Sequence, residues 1–457
     1  MPISPARRIA FEVLCRVASQ GAYASELLHT RLSDRISRAD AGLTTELTLG
    51  VLRWQRLLDF LLERSLDRAA ERLDVEVLIA LRLGLYQLRF LERIPAHAAV
   101  GESVELAKRA RKYSAAGLVN AVLRRAAPEA KISGKELQAL LPAEASLAER
   151  FAILHSHPTW LVERWIARFG KDRTLALLEA NNRPARLSCA VLDASHIATV
   201  ERSLREGGFA TMPGRWLQSA LTLSGGNVAT AEAFKLGQIN LQDEASQMVA
   251  HLVDAQAGQS ALDLCAAPGG KTLLLAHAVA PGGLVVAADL HDHRLRSLRE
   301  QLTRTRTENV VMLALDATCP LPFQARFVRI LVDAPCSGTG TLARNPEIRW
   351  RLEPNDLANA HDRQTAMLRR ALELLAPGGR LVYATCSLEP EENEEVVREA
   401  LSADAQVRVA GGADALLPHV RRGVPAASLF DGDDFFRTFP PESGTDGFFA
   451  AILERNV

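Results

Sequence analysis

Cysteine is scarce and shows no pairing. The 457 residues hold six: Cys15, Cys189, Cys265, Cys319, Cys336 and Cys386. None belongs to a CxxC pair, which argues against a disulfide framework and a cysteine-based zinc site, so no metal is expected. Aromatic residues are only 5% of the chain, and its front offers few of them for stacking bases. No apolar run is long enough to span a bilayer, and no charged-then-apolar leader follows Met1. The expectation is a cytoplasmic protein with reduced thiols and no membrane partner; a monomer is the default. Net charge is also missing, because 54 Lys and Arg balance 54 Asp and Glu. Internal repeats and low-complexity tracts are absent.

The balanced charge is unevenly spread. Bases exceed acids in residues 1–130, and acids exceed bases after residue 391. A basic front suits a polyanionic partner, although a solvated surface gives the same mild bias. Residues 1–135 read as all helix, with apolar residues at helical spacing in Ile9–Val17, Leu43–Leu62, Val75–Phe90 and Ala98–Leu123. Leu43, Leu47, Val51, Trp54, Leu58 and Leu61 are expected on one buried face. Lys108, Arg109, Arg111 and Lys112 fall on the last long helix, as a phosphate contact or as ordinary solvated surface.

Residues 142–235 start helically at His157–Phe169 and Thr174–Asn181. They pass through the turn signal Asn181-Asn182-Arg183-Pro184 and continue with strand-like Leu187–Leu192 and Leu221–Leu223, so a small α+β module is expected. From Gly237 to Val457 strands alternate with helices. The strand candidates are Ala261–Leu264, Leu284–Ala288, Val310–Leu313, Val328–Val332, Arg380–Thr385 and Phe448–Leu453. The helices are Lys271–Val279, Arg294–Thr303 and Asp356–Leu375. This order predicts an α/β fold with a doubly wound, Rossmann-like sheet, whose ligands sit beyond the carboxyl ends of the strands. The stretch 407–440 reads as irregular.

The run Cys265-Ala266-Ala267-Pro268-Gly269-Gly270-Lys271-Thr272 follows the first of these strands and opens a helix. Small residues let backbone approach a ligand, and the helix N-terminus offers free N–H groups. A phosphate loop needs Gly where Cys265 stands, and the GxGxxG fingerprint is absent. Asp289 ends the second strand, where a ribose-binding acid belongs in a doubly wound fold. Asp316 follows the third and suits an adenine amino group; Asp333 ends the fourth. Any one such acid is usually a cap. Together they disfavour a phosphate ligand and favour a ribose carrying a cationic centre, as in S-adenosyl-L-methionine.

Two cysteines lie at neighbouring strand ends. Cys336 stands in Asp333–Gly340, and Cys386 in Thr385–Ser387. Buried, inert cysteine is the ordinary fate of the residue, and it is the expectation for Cys15, Cys189 and Cys319; Cys265 is expected to pack within the loop. Cys336 and Cys386 are expected to share one crevice with Asp333 and Lys271. That set suits methylation of a pyrimidine. A thiolate adding to carbon 6 of cytosine makes carbon 5 nucleophilic, an acid at N3 stabilises the charge formed, and a second group assists proton loss and thiol release. Lys271 and a helix N-terminus are expected to lower a thiol pKa.

These residues closely resemble the Nop/Sun family of RNA cytosine-5 methyltransferases. The likeness rests on Cys265–Thr272, Asp333–Gly340 and Thr385–Ser387. Support comes from Gly237–Ser246, Arg344–Trp350, Ala376–Gly379, Glu389–Asn393 and Asp446–Ala450. The resemblance implies that Cys386 is the nucleophile and that Cys336 assists release. The front resembles a NusB-like RNA-binding domain through Arg38–Arg53. Joined to this catalytic core, it implies the branch of the family that acts on 16S, small-subunit rRNA, free or partly assembled. Competing readings are methylation of another RNA such as tRNA, a DNA cytosine methyltransferase attacking through Cys336, a NusB-like antitermination module without catalysis, and a P-loop NTPase. The second cysteine, the intact Asp333 and the residue at Cys265 count against the last three.

Overall fold

The computed structural model describes residues 3–32, 36–66, 72–132, 134–402 and 404–457. The chain divides into two compact units. One comprises Met1–Pro184 and Leu342–Arg351, the other Ala185–Thr341 and Leu352–Val457. Residues 142–184 therefore fall in the first unit and 185–235 in the second.

The first unit is helical, as its periodicity requires. Pro5–Gln20, Arg38–Arg53, Val75–Phe90 and Ala96–Arg109 are its longest helices. Leu14, Leu47, Leu58, Leu61, Leu81, Leu83, Leu106 and Leu123 share their core. Two expectations need correction. Leu43–Leu62 is not one helix: the backbone leaves helical geometry at Trp54 (φ −107°, ψ 15°) before Gln55–Glu63. The Trp54 ring stacks on Phe90 at 5.0 Å, so Trp54 and Leu43 pack at the margin of the core while Leu47, Val51, Leu58 and Leu61 are fully buried. Ala98–Leu123 is also two helices. The first ends at Arg109, Arg111 takes a left-handed φ of 62°, and the next begins at Ala116, an αL helix ending. The basic cluster thus spans a helix end and a turn. Three of its four members meet acids: Lys108 with Glu105 at 2.7 Å, Lys112 with Asp74 at 2.8 Å and Arg109 with Glu12 at 3.6 Å.

Residues 342–351 are built into this helical unit. The fully buried Arg349 donates from Nη1 to Ser156 O at 3.0 Å and Asn182 Oδ1 at 2.9 Å, and from Nη2 to Asn181 O at 3.2 Å. Trp350 Nε1 donates to Leu52 O at 2.6 Å, and Glu347 accepts from Ala24 N at 2.8 Å. The planar fork of an arginine suits this set of diverging carbonyls.

In the second unit, β1 (Leu187–Val191), β2 (Ala210–Pro213), β3 (Ala220–Ser224) and β4 (Ile239–Leu241) form an antiparallel sheet in the order β2-β3-β1-β4. The main sheet contains β5 (Ser260–Asp263), β6 (Leu284–Asp289), β7 (Val310–Ala314), β8 (Phe327–Asp333), β9 (Leu375–Thr385), β10 (Val407–Ala410) and β12 (Phe448–Arg455). Its order is β10-β12-β9-β8-β5-β6-β7, with β11 (Phe436–Thr438) paired to β12. Neighbours from β7 to β9 run parallel, and β12 runs antiparallel to β9. This is the expected α/β fold class. The stretch 407–440 is not wholly irregular, because it contains β10 and β11. Both are short and pair with β12, so their sequences carry little periodic signal.

Alternation along the central strands explains why the sheet is covered on both faces. Leu331 and Val382 enter one core, while Ile330, Val332, Leu381 and Tyr383 enter the other. The helices Gly270–Val279, Asp292–Thr305 and Pro354–Glu373 connect the parallel strands.

Candidate active site

Parallel register fixes where the site forms. Asp263 pairs with Leu331, Asp289 with Ala314 and Asp333 with Ala384. The carboxyl ends of β5, β6, β8 and β9 therefore release Cys265, Asp289, Asp333 and Cys386 along one edge of the sheet, as the topology requires.

The loop after β5 closes on itself and on β6. Gly269 has φ 114°, and a Cβ there would lie 2.5 Å from Leu298 Cδ1, so only glycine fits. Ala267 N–H donates to Asp289 Oδ2 at 3.2 Å, and His291 N–H donates to Asp289 Oδ1 at 3.1 Å. Helix Gly270–Val279 starts without a side-chain cap, leaving N–H groups of its first turn available to a ligand. Leu241, Gln242, Ser246, Asp263, Cys265–Pro268, Gly270, Lys271, Gln301 and Asp333 line a cavity of about 130 Å³.

Within it, Lys271 Nζ donates to Asp333 Oδ2 at 2.6 Å and lies 5.1 Å from the centre of the Phe448 ring. Asp263 is buried; its Oδ2 accepts from Thr272 Oγ1 at 2.8 Å, while its Oδ1 meets no partner among the described residues. Burial pushes the Asp263 carboxyl up to about 7, with the Asp333 charge adding to the effect. Desolvation also pushes the Cys265 thiol well up.

Beside Asp333, Cys336 Sγ and Cys386 Sγ lie 3.3 Å apart. Both are partly exposed. The hydrogen bond with Cys386 and burial push the Cys336 thiol well up. The expected lowering does not occur at Cys336, where the Cys386 contact and burial both raise the thiol. Gly340 N–H donates to Cys386 O at 2.9 Å, and Gly447 N–H to Gly340 O at 2.8 Å. A Cβ on Gly340 would sit 2.1 Å from Gly447 O, so this close approach of two loops also demands glycine.

The structure thus brings Cys265, Ala266, Ala267, Pro268, Gly270, Lys271 and Asp333 to one cavity, Gly269 and Asp289 to its loop, and Cys336 to Cys386. Asp316 does not line that cavity. It is exposed, and its Oδ1 accepts from Thr318 N at 2.9 Å and Thr318 Oγ1 at 2.6 Å, which holds the carboxyl below its usual range. Sequence reasoning gave no role to Gln242, Ser246 or Asp263, which line the cavity, nor to Glu392, Ser337 and Ser387 behind the cysteines. The only signal was the place of Asp263 near the end of a strand candidate and of the others inside the quoted motifs.

Comparison with known proteins converges on one family. A profile described as 16S rRNA methyltransferase RsmB/F matches residues 250–454. The NusB family matches 4–128, and a ferredoxin-like domain of RsmF/B-like methyltransferases matches 157–229. The chain is 31% identical to the probable ribosomal RNA small subunit methyltransferase B of Bacillus subtilis, over 98% of both chains. It is 34% identical to the ribosomal RNA small subunit methyltransferase B of Pseudomonas putida, again over 98% of both. Among solved structures, PH0851 has the same fold, with TM-score 0.81 and 24% identity over 99% of this chain and 100% of that one. A methyltransferase homolog from Pyrococcus horikoshii gives TM-score 0.57 and 26% identity over 68% of this chain and 99% of that one.

Proposed function

Because the chain belongs to the 16S rRNA methyltransferase RsmB/F family, we propose that it methylates carbon 5 of one cytosine in 16S rRNA through a covalent adduct on Cys386. The observation that carries this reading is the 3.3 Å approach of Cys336 and Cys386, beside the Lys271–Asp333 pair. One thiol suffices for addition; two in contact suit a reaction that must also release its adduct.

The cavity suits S-adenosyl-L-methionine. The carboxylates of Asp289 at its loop and Asp333 in its lining favour a ribose carrying a cationic centre over a phosphate. Cys265–Lys271 would hold the cofactor by backbone and Asp289 would meet its ribose; Asp316, exposed near β7, is the weakest member of the set. Bound there, S-adenosyl-L-methionine supplies an electrophilic methyl group on its sulfonium.

The target cytosine must leave any stack for its ring to meet both sulfurs. Cys386 Sγ adds to carbon 6, after passing its proton to a base, and carbon 5 becomes the nucleophile. Asp333 would meet N3 as the carboxylic acid; its proton passes to N3 as addition places charge on the ring, and the carboxylate left behind is paired with Lys271. Once carbon 5 carries the methyl, its proton leaves and the bond from Cys386 to carbon 6 breaks, with Cys336 assisting this elimination. The helical front would contact RNA. With Lys108, Arg109 and Lys112 engaged by acids, Arg111 is the cluster member most open to phosphate. We assign the protein to the cytoplasm, as a monomer acting on free or partly assembled rRNA.

The test is transfer of labelled methyl from S-adenosyl-L-methionine to naked 16S rRNA, assembled subunits and tRNA, followed by mapping. A single 5-methylcytosine in 16S rRNA supports the reading. Labelling of tRNA alone, or of none of the three, overturns it.

A further inference from the structure

The two cysteine loops are tied together from behind by one buried carboxylate. Glu392 is fully buried. Its Oε1 accepts from Ser337 N at 2.7 Å and Gln364 Nε2 at 3.2 Å. Its Oε2 accepts from the hydroxyls of Ser337 and Ser387. Ser337 follows Cys336 and Ser387 follows Cys386, so one carboxylate grips the residue next to each sulfur. Ser337 Oγ and Ser387 Oγ lie 3.1 Å apart, close to the 3.3 Å between the sulfurs. The grip is itself supported. Gln364 also donates to Pro335 O at 2.9 Å, Tyr383 Oη donates to Glu392 O at 2.7 Å, and Asn393 Nδ2 donates to Ser387 O at 3.0 Å. Glu392 aims no atom at the cavity, and its four donors all come from within the protein.

We propose that Glu392 is a positioning residue that sets the separation and aim of Cys336 and Cys386 by holding both following serines. It rests on the proposed function only for the consequence in turnover. The physical reason is geometric: a buried carboxylate offers acceptor sites alone, with no donor of its own, which matches two N–H and two O–H donors converging from the two cysteine loops and the helix Pro354–Glu373. A glutamine in its place has one acceptor oxygen and an NH₂ group that must face either the Ser337 and Gln364 N–H groups or the two hydroxyls.

Two readouts on the full-length protein test this. The first needs no RNA. Hydrogen peroxide converts two thiols into a disulfide: one sulfur is oxidised to the sulfenic acid with loss of one water, and the second thiol displaces the other water. Mass spectrometry follows Cys336–Cys386 closure as the loss of two hydrogens. Glu392→Gln should slow closure at least fivefold. Closure within twofold of the parent, or no closure in the parent, overturns the proposal. The second readout is turnover on rRNA. Glu392→Gln should lower kcat at least tenfold while the Kd for S-adenosyl-L-methionine stays within twofold. Ser337→Ala with Ser387→Ala should give a similar loss, and adding Glu392→Gln should not deepen it, since groups acting as one unit are not additive. Cofactor affinity falling in step with kcat would mark a merely structural residue and overturn the proposal. If the parent methylates no RNA, the proposed function fails, and peroxide closure still decides the role of Glu392.

Discussion

Lys271 Nζ sits 2.6 Å from Asp333 Oδ2, although the two residues lie 62 positions apart on different elements. One comes from the first turn of the helix after β5 and the other from the end of β8. Lys271 is buried, and its ammonium also lies over the Phe448 ring. It ties the loop after β5 to the strand that carries the acid proposed to act at N3. Lys271→Met would leave Asp333 without its counter-charge, and breaking a buried pair by removing one partner is strongly destabilising, on the order of 3–5 kcal/mol. Asp333 is partly exposed, so the loss should fall at or below the low end. The expected result is a lower thermal midpoint and at least 100-fold lower methyl transfer, checked by calorimetry and a labelled-methyl assay.

The two cysteines should separate in a denaturing gel. Cys386→Ala should retain cofactor binding and form neither product nor adduct. Cys336→Ala should add to the base and fail to release it, giving a slow protein–RNA band. If Cys386→Ala gives the slow band instead, the two roles are exchanged.

Asp263 makes stability depend on pH in a direction opposite to most acids. Burial raises its carboxyl from 3.8 to about 7 in the folded protein. Between those values the folded state holds a proton that the unfolded state has lost, so the contribution of this group to stability is present below pH 3.8 and is lost as pH rises to about 7. Asp263→Asn cannot titrate. The difference in thermal midpoint between Asp263→Asn and the parent should therefore grow in favour of the variant from pH 5 to pH 7 and level off above it. A difference that shrinks over this interval would contradict the raised value.

Arg349 should be the most sensitive position of the segment 342–351. It is fully buried and spends its guanidinium on Ser156 O, Asn181 O and Asn182 Oδ1. Arg349→Ala leaves these acceptors unsatisfied, each costing about 1–3 kcal/mol. Denaturant titration should show a loss of several kcal/mol, and Arg349→Lys should recover little of it, because an ammonium lacks the planar fork. Trp350→Phe, which removes one bond to Leu52 O, should cost only about 1 kcal/mol.

Periodicity and motif spacing determined much of this protein by themselves. Alternating strands and helices after Gly237 gave the parallel sheet, since covering both faces of β5, β6, β8 and β9 requires apolar runs that are visible locally. Strand ends then placed Cys265, Asp289, Asp333 and Cys386 on one edge, because ligands in such sheets gather there. The tertiary structure alone decided contacts between residues far apart in sequence. It broke the helix at Trp54, where stacking on Phe90 accompanies the departure from helical backbone. It paired Arg109 with Glu12 and Lys112 with Asp74, acids from two other segments. It built residues 342–351 into the helical unit. It also brought two sulfurs 50 positions apart to 3.3 Å. No local pattern encodes a distance of that kind, because it depends on the register of β8 against β9 and on the buried carboxylate behind both loops.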